Sequence, residues 1–288
     1  MAAPAPIYFG IAGWSYPDWE GIVYPRGTRE HLGYIAHYVD LIEINSSFYR
    51  VPLARHAAGW LKQTAFKPEF RFSAKVPQDI THGGLLSAEL VHQLQDGFAP
   101  LIEAGKLTHF LAQFKYDFND TAEHRDYLSR TEDTLGGLTN LTLELRHNSW
   151  QVPSALAFLE SLAVTVANLD YPMSHTSFNL ARCHVGAERY LRLHGRNSAA
   201  WFDKAAGRDE TYNYYYSRAE LQGLRQRAEA LREGSKSLTV VTNNHFKGQE
   251  VANILQLKAL FSGDKVPVPL LLREHYPELN EIAAPQKA

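Results

Sequence analysis

The sequence predicts one α/β domain, a TIM-barrel-like (β/α)8 closed parallel barrel, on three observations. Eight short strand-like runs recur along the chain, stretches of helical spacing separate them, and the strands set an apolar face against a polar one. A chain of 288 residues, 45% of them hydrophobic, is long enough for one such barrel. The main competitor is a doubly wound open sheet, which usually carries a glycine-rich phosphate loop after its first strand. That position reads GIAGWSYPDW, with neither a dinucleotide fingerprint nor a Walker loop.

Taken in order, the expected strands are IYFGIAG (7–13), LIEIN (41–45), FRFSAK (70–75), THFLAQF (108–114), LTLELR (141–146), VTVANLD (164–170), YLRLHG (190–195) and LTVVTNN (238–244). Helical spacing follows the first in TREHLGYIAHYV and the third in SAELVHQLQDGFAPLIEAG, and precedes the last in SRAELQGLRQRAEALREG. Ser and Asp caps suit several helix starts, while Gly136, Gly137 and Gly234 mark helix ends. Without an internal repeat, a low-complexity run or a linker, the expectation is one domain over 1–288, with a core of about 7–261 and a C-terminal tail, 262–288.

A net charge of −2 gives no overall basic footprint, so nucleic acid stays open as a partner only through a local site. Cys183 is the sole cysteine, which excludes a disulfide framework and argues against a cysteine-built zinc site. The start MAAPAPIYFG lacks a basic segment followed by an apolar one, and no stretch approaches the roughly 18 apolar residues of a membrane span. A cytoplasmic protein with no membrane partner is expected.

Strand side chains alternate sides, so Glu43 and Asn45 share one face, Glu144 and Arg146 another, Arg192 and His194 a third, and Arg71, Ser73 and Lys75 a fourth. In a barrel the apolar face meets the helices, and these polar faces point into the lumen. Gln113, Asp170 and Asn243 end three more strands. The expected lumen carries Glu43, Glu144 and Asp170 against Arg71, Lys75, Arg146 and Arg192, charges that must pair, meet water or meet a ligand. A closed ion-pair network is the bland alternative. The sharper one is chemistry at the carboxyl ends of the strands, where barrel enzymes place it.

ELRHNSW places Glu144, Arg146, His147 and Trp150 at one strand end, with Glu144 or His147 as acid/base candidates and Arg146 as an anion holder. KVPQDITH supplies Lys75 and His82, or is simply a proline turn into a helix. GWSYPDWEGIVYP, with Trp14 and Tyr16, offers either a stacking wall or a hydrophobic plug. VTNNHFKGQE places Asn243, Asn244 and Lys247 before a helix, where barrels often bind phosphate. The long aromatic stretch from Gly195 to Ser217 has the composition of a lid, of a packed loop or of a partner-binding patch. Metal ranks below an anionic organic ligand, because arginines and a lysine surround the oxygen and nitrogen donors; neither a metal nor a cofactor is expected.

The ordered motifs GWSYPDWEGIVYP, EINSSFYRVP, FRFSAKVPQDITH, LELRHNSW, YLRLHG and TNNHFKGQEVANILQL resemble the YecE-like family, domain of unknown function 72, over roughly 7–261. The resemblance implies a TIM-barrel-like fold and a cytoplasmic setting in bacteria or archaea, and supplies no activity. The matching polar positions are Trp14, Tyr16, Glu43, Asn45, Tyr49, Lys75, His82, Glu144, Arg146, His147, Trp150, Arg192, His194, Asn243 and Asn244. Two departures stand out: GIAGW where GTSGW is common, and His245 where an acidic residue is frequent.

The expected function is an enzyme for a small polar anion, phosphorylated or sugar-like, acting by hydrolysis or isomerisation. Glu43, Glu144, His147 and His194 form the expected catalytic set; the other matching positions are expected to bind substrate. A non-catalytic binder of a nucleic-acid end or metabolite, and a protein-interaction module, are the alternatives.

Overall fold

In the computed structural model, which describes residues 4–285, the strands form one parallel sheet in the order β6-β5-β4-β3-β2-β1-β9-β8-β7. They are β1 (Ile7–Ala12), β2 (Leu41–Ile44), β3 (Arg71–Lys75), β4 (Leu107–Gln113), β5 (Asn140–Glu144), β6 (Val164–Val166), β7 (Asn168–Asp170), β8 (Arg189–Leu193) and β9 (Leu238–Thr242). The two ends of that order, β6 and β7, are halves of the one expected strand VTVANLD, interrupted at Ala167. β6 pairs with β5 and β7 with β8, and Ala167 N–H donates to Leu143 O at 2.9 Å. The sheet therefore closes on itself, and the expected eight-stranded barrel is what forms.

The helices are α1 (His31–Ala36), α2 (Ala54–Thr64), α3 (Gln78–Thr81), α4 (Ala88–Glu103), α5 (Ala122–Leu135), α6 (Pro153–Ser161), α7 (Ser198–Trp201), α8 (Arg208–Thr211), α9 (Arg218–Arg232), α10 (Gln249–Ser262) and α11 (Leu270–His275). Local chemistry starts them as the sequence suggests. The Ser87 hydroxyl accepts from Leu90 N–H at the head of α4, and Ser217 with Glu220 forms a reciprocal capping box on α9. Helix faces bury Leu94, Phe98 and Leu101 of α4, and Leu221, Leu224 and Leu231 of α9, in a continuous core with the outward residues of the strands. That core also takes Val266, Val268, Leu272 and Leu279, so the segment beyond residue 261 packs on the barrel.

Inside the lumen, register sorts the side chains into layers. Ala12 lies opposite Glu43 and Glu43 opposite Ser73, while Gln113 lies opposite Glu144, which puts all five on the inner face. A small apolar cluster of Ala12, Leu41, Ala167, Leu169, Tyr171, Tyr190 and Val241 shares the barrel interior with the buried pair His109 and Thr142, 2.9 Å apart. Arg71 lies at the opposite, amino-terminal mouth, beside Tyr8, Thr108, His109 and Glu188. Asp170 corrects the expected lumen inventory. Leu169 is registered with the inward Arg192, so its neighbour Asp170 points outward, where Arg196 grips it through two hydrogen bonds of 2.9 and 2.7 Å and Tyr216 donates at 2.7 Å.

Candidate functional site

The inward polar residues of β2, β5 and β8 meet as one ion-pair network. Arg192 reaches Glu43 through Nη2 at 2.6 Å and Nε at 3.0 Å, and Glu144 through Nη1. Tyr190 O–H donates to Glu43 at 2.9 Å and lies 2.8 Å from the Ser73 hydroxyl. Arg146 closes the other side, donating to Glu144 from Nη2 at 2.7 Å and Nε at 2.9 Å. Glu43, Glu144, Arg192 and His194 are all buried. Two carboxylates face two guanidinium groups, so the network is charge-balanced, which is what makes its burial tolerable.

Electrostatics follow from that balance. Burial opposes ionisation of Glu144, but Arg192 and Arg146 outweigh it and hold the carboxyl well below its usual range. Burial, with Arg192 beside it, lowers the His194 pKa to about 4. Asn243 Nδ2 lies 3.0 Å from His194 Nδ1, and His194 Nε2 lies 3.3 Å from Arg192 Nη1 and 3.7 Å from Glu144 Oε1.

Above this floor, at the carboxyl ends of the strands, lies a cavity of about 400 Å³ lined by Gly13, Trp14, Ser15, Tyr16, Asn45, Ser46, Tyr49, Lys75, Gln113, Arg192, Arg208, Tyr212, Asn243 and His245. Gly13 turns the chain at the end of β1 with φ +90°, and a Cβ there would lie 2.6 Å from the Tyr16 hydroxyl, so glycine is required. The loop from Gly195 to Ser217 folds over the mouth through α7 and α8 and delivers Arg208 and Tyr212. The Arg208 guanidinium lies 5.7 Å from the Tyr16 ring centre, and His245 stacks on the same ring at 4.5 Å.

Lys75 is the cavity's exception. Its ammonium sits 4.1 Å from the Phe48 ring centre and has no hydrogen bond or ion pair to another side chain among the described residues. Burial, with Arg192 next, lowers its pKa to about 8. Asn45 also presents a buried side-chain oxygen with no hydrogen-bond partner among the described residues. No group of three or more metal-ligating side chains occurs among the described residues.

Of the residues singled out in the sequence, Trp14, Tyr16, Asn45, Tyr49, Lys75, Arg192 and Asn243 line the cavity, and Glu43, Glu144, Arg146 and His194 form its floor. Four lie elsewhere. Trp150 is fully buried in the core, its indole N–H donating to Phe118 O at 2.7 Å. His147 caps the turn after β5, accepting from Ser149 N–H at 3.2 Å. His82 meets Phe48 edge-on at 5.0 Å, on the ring against which Lys75 rests. Asn244 donates to Tyr214 O at 2.7 Å and Asn253 Oδ1 at 2.9 Å, which ties the loop over the mouth to α10.

Sequence reasoning did not name Tyr190, Arg208 or His245 as site residues, and it placed Tyr212 only in the stretch with the composition of a lid, a packed loop or a partner-binding patch. Tyr190 was legible, because it shares the face of Arg192 and His194. Arg208 and Tyr212 come from a long loop whose path over the barrel has no periodic signal. Glu250, at the start of α10, was also missed: burial pushes its carboxyl well above the usual range, and neither oxygen has a hydrogen-bond partner among the described residues.

A closed eight-stranded parallel barrel, with its polar groups gathered at the carboxyl ends of the strands, defines a TIM-barrel protein. Within that class the chain belongs to the family described as protein of unknown function DUF72, whose model matches residues 8–277. It is 27% identical over 273 residues to the UPF0759 protein YunF of Bacillus subtilis (strain 168), an alignment covering 88% of this chain and 94% of that protein. It is 28% identical over 143 residues to the UPF0759 protein YecE of Escherichia coli O157:H7, covering 49% and 48%. The crystal structure of a DUF72 family protein from Thermotoga maritima matches with a TM-score of 0.78 at 28% identity, covering 89% of this chain and 99% of that one. One from Enterococcus faecalis matches with 0.78 at 26%, covering 89% and 95%. No helix among the described residues is long and apolar enough to cross a membrane.

Proposed function

We propose that the protein is an enzyme acting on a small, polar, anionic and sugar-like molecule in the cavity at the carboxyl end of the barrel. One observation carries this reading: the network beneath the cavity balances its own charges, so the positive charge of Lys75 is left to a ligand. Arg208, which also contacts the exposed Asp209 carboxylate at 3.5 Å, adds a second cation to the wall. The amides of Asn45, Gln113 and Asn243 suit hydroxyl groups, and the faces of Trp14, Tyr49 and Tyr212 suit a carbon skeleton. Glu43 and Glu144, expected as acid/base residues, serve here to orient Arg192; His194 is a neutral, buried imidazole behind Asn243.

A second reading, a module that binds a larger partner, is favoured by the exposed Tyr49, Leu85, Tyr116, Met173 and Phe202, all in loops that follow strands at this same end. A thermal-shift screen with phosphorylated sugars, sugar acids, short oligonucleotides and divalent metals, run on the wild type and on Arg208→Ala, separates the readings. Stabilisation by a small anion that weakens in the variant supports the enzyme. Stabilisation by oligonucleotides alone, or by nothing in the screen, counts against it.

A further inference from the structure

We propose that Lys75 is the covalent nucleophile of this site, its amine adding to the carbonyl carbon of a small anionic aldehyde or ketone to form an imine. The inference rests on the proposed function and deepens it by naming the substrate's reactive group. Three features of the structure converge on it. Lys75 ends β3 at the carboxyl face, where its amine lines the 400 Å³ cavity. Among the described residues no acceptor or carboxylate holds it, and an aromatic ring lies 4.1 Å away. The nearby acids Glu43 and Glu144 make their hydrogen bonds to Arg192 and Arg146, and none to Lys75 among the described residues. A lysine desolvated against an aromatic face and crowded by another cation is the arrangement that frees an amine for attack on a carbonyl. Its lowered pKa, about 8, fits the same picture.

The chemistry balances without any further reactant. The nitrogen lone pair forms a C–N bond while the carbonyl π pair moves to oxygen, which takes up a proton; nitrogen gives up one proton, leaving a carbinolamine. Loss of the hydroxyl with one proton, as water, and formation of C=N complete the imine. Solvent water entering the cavity mouth exchanges these protons.

The test is reductive trapping on the full chain. The protein is incubated with glyceraldehyde 3-phosphate, dihydroxyacetone phosphate or pyruvate, treated with borohydride, and analysed by intact mass and peptide mapping. The expected result is one adduct per chain, on Lys75, formed at least tenfold faster at pH 7 than on exposed Lys115 or Lys236, with a rate that rises toward a midpoint near pH 8. Lys75→Met removes the adduct, and Lys75→Arg is the second variant should Met not fold. Adducts spread over exposed lysines with Lys75 unmodified overturn the proposal, as does the absence of any adduct. Thermal shift with the same probes keeps the two readings apart. A probe that stabilises the wild type without being trapped overturns the imine and leaves an anion-binding site, whereas no stabilisation and no trapping removes both.

Discussion

At the scale of single residues, the site depends on which charges have partners. Arg192 is buried between two carboxylates, so removing either leaves an uncompensated charge in the barrel. Glu144→Gln is expected to lower stability by about 3–5 kcal/mol in urea titrations. Lys75 behaves in the opposite way, because its pKa is depressed on folding. Its protonated form destabilises the folded state at pH 7, and the penalty fades between about pH 8 and 10.5, where the unfolded chain still binds the proton. Lys75→Met should therefore raise stability at pH 7 by about 1–3 kcal/mol, with the gain shrinking as pH climbs through that window. His194 is depressed as well, from 6.5 to about 4. The unfolded state takes its proton first, so the stability His194 contributes is present above pH 6.5 and is lost as pH falls toward 4. His194→Asn should flatten that part of the profile, as read from denaturation midpoints across the range. An unchanged slope would show that other groups set the acid sensitivity.

At the scale of elements, strand parity and helix capping do most of the positioning. The alternation in LIEIN, LTLELR and YLRLHG placed Glu43, Glu144 and Arg192 in the lumen, because a side chain two residues along returns to the same face. The same rule excludes Asp170, since the inward positions of its strand are Ala167 and Leu169. Helix α9 begins at a capping box whose Glu220 also accepts from Tyr214 and Arg196, so one helix start secures the loop that covers the cavity. Ser217→Ala should cost about 1 kcal/mol by thermal denaturation. It should also weaken ligand binding slightly, through looser placement of Arg208 and Tyr212.

At the scale of the whole molecule, barrel closure makes distant segments one site. Residues 147 or more positions apart, Glu43 with Tyr190 and Arg192, meet only because β2 and β8 face each other across the lumen. The segment after α10 contributes to the same core through Val266, Val268, Leu272 and Leu279. Tyr276 continues it to the mouth, stacking on Tyr215 at 4.9 Å and donating to Lys247 O at 3.1 Å. Truncation after Ser262 should remove on the order of 6–10 kcal/mol of burial and leave little folded protein by circular dichroism. A truncated chain that melts like the full one would show that the tail is dispensable.

The sequence by itself determined the alternation of strands and helices, the closed parallel barrel, the polar inner faces and the family, because each rests on period, length or motif order that a chain carries locally. Within the site it made Lys75, Asn45, Tyr49 and Asn243 recognisable as residues of strand ends and their loops. Only the tertiary structure decided which charges pair. Glu43 and Glu144 read either as acid/base candidates or as members of an ion-pair network until Arg192 is seen between them, and Lys75 reads as one cation among several until it is seen beside that network without a carboxylate partner among the described residues. The reason is physical: pairing depends on angular position around the barrel and on side-chain reach across its lumen, and neither is written in the spacing of residues along a strand.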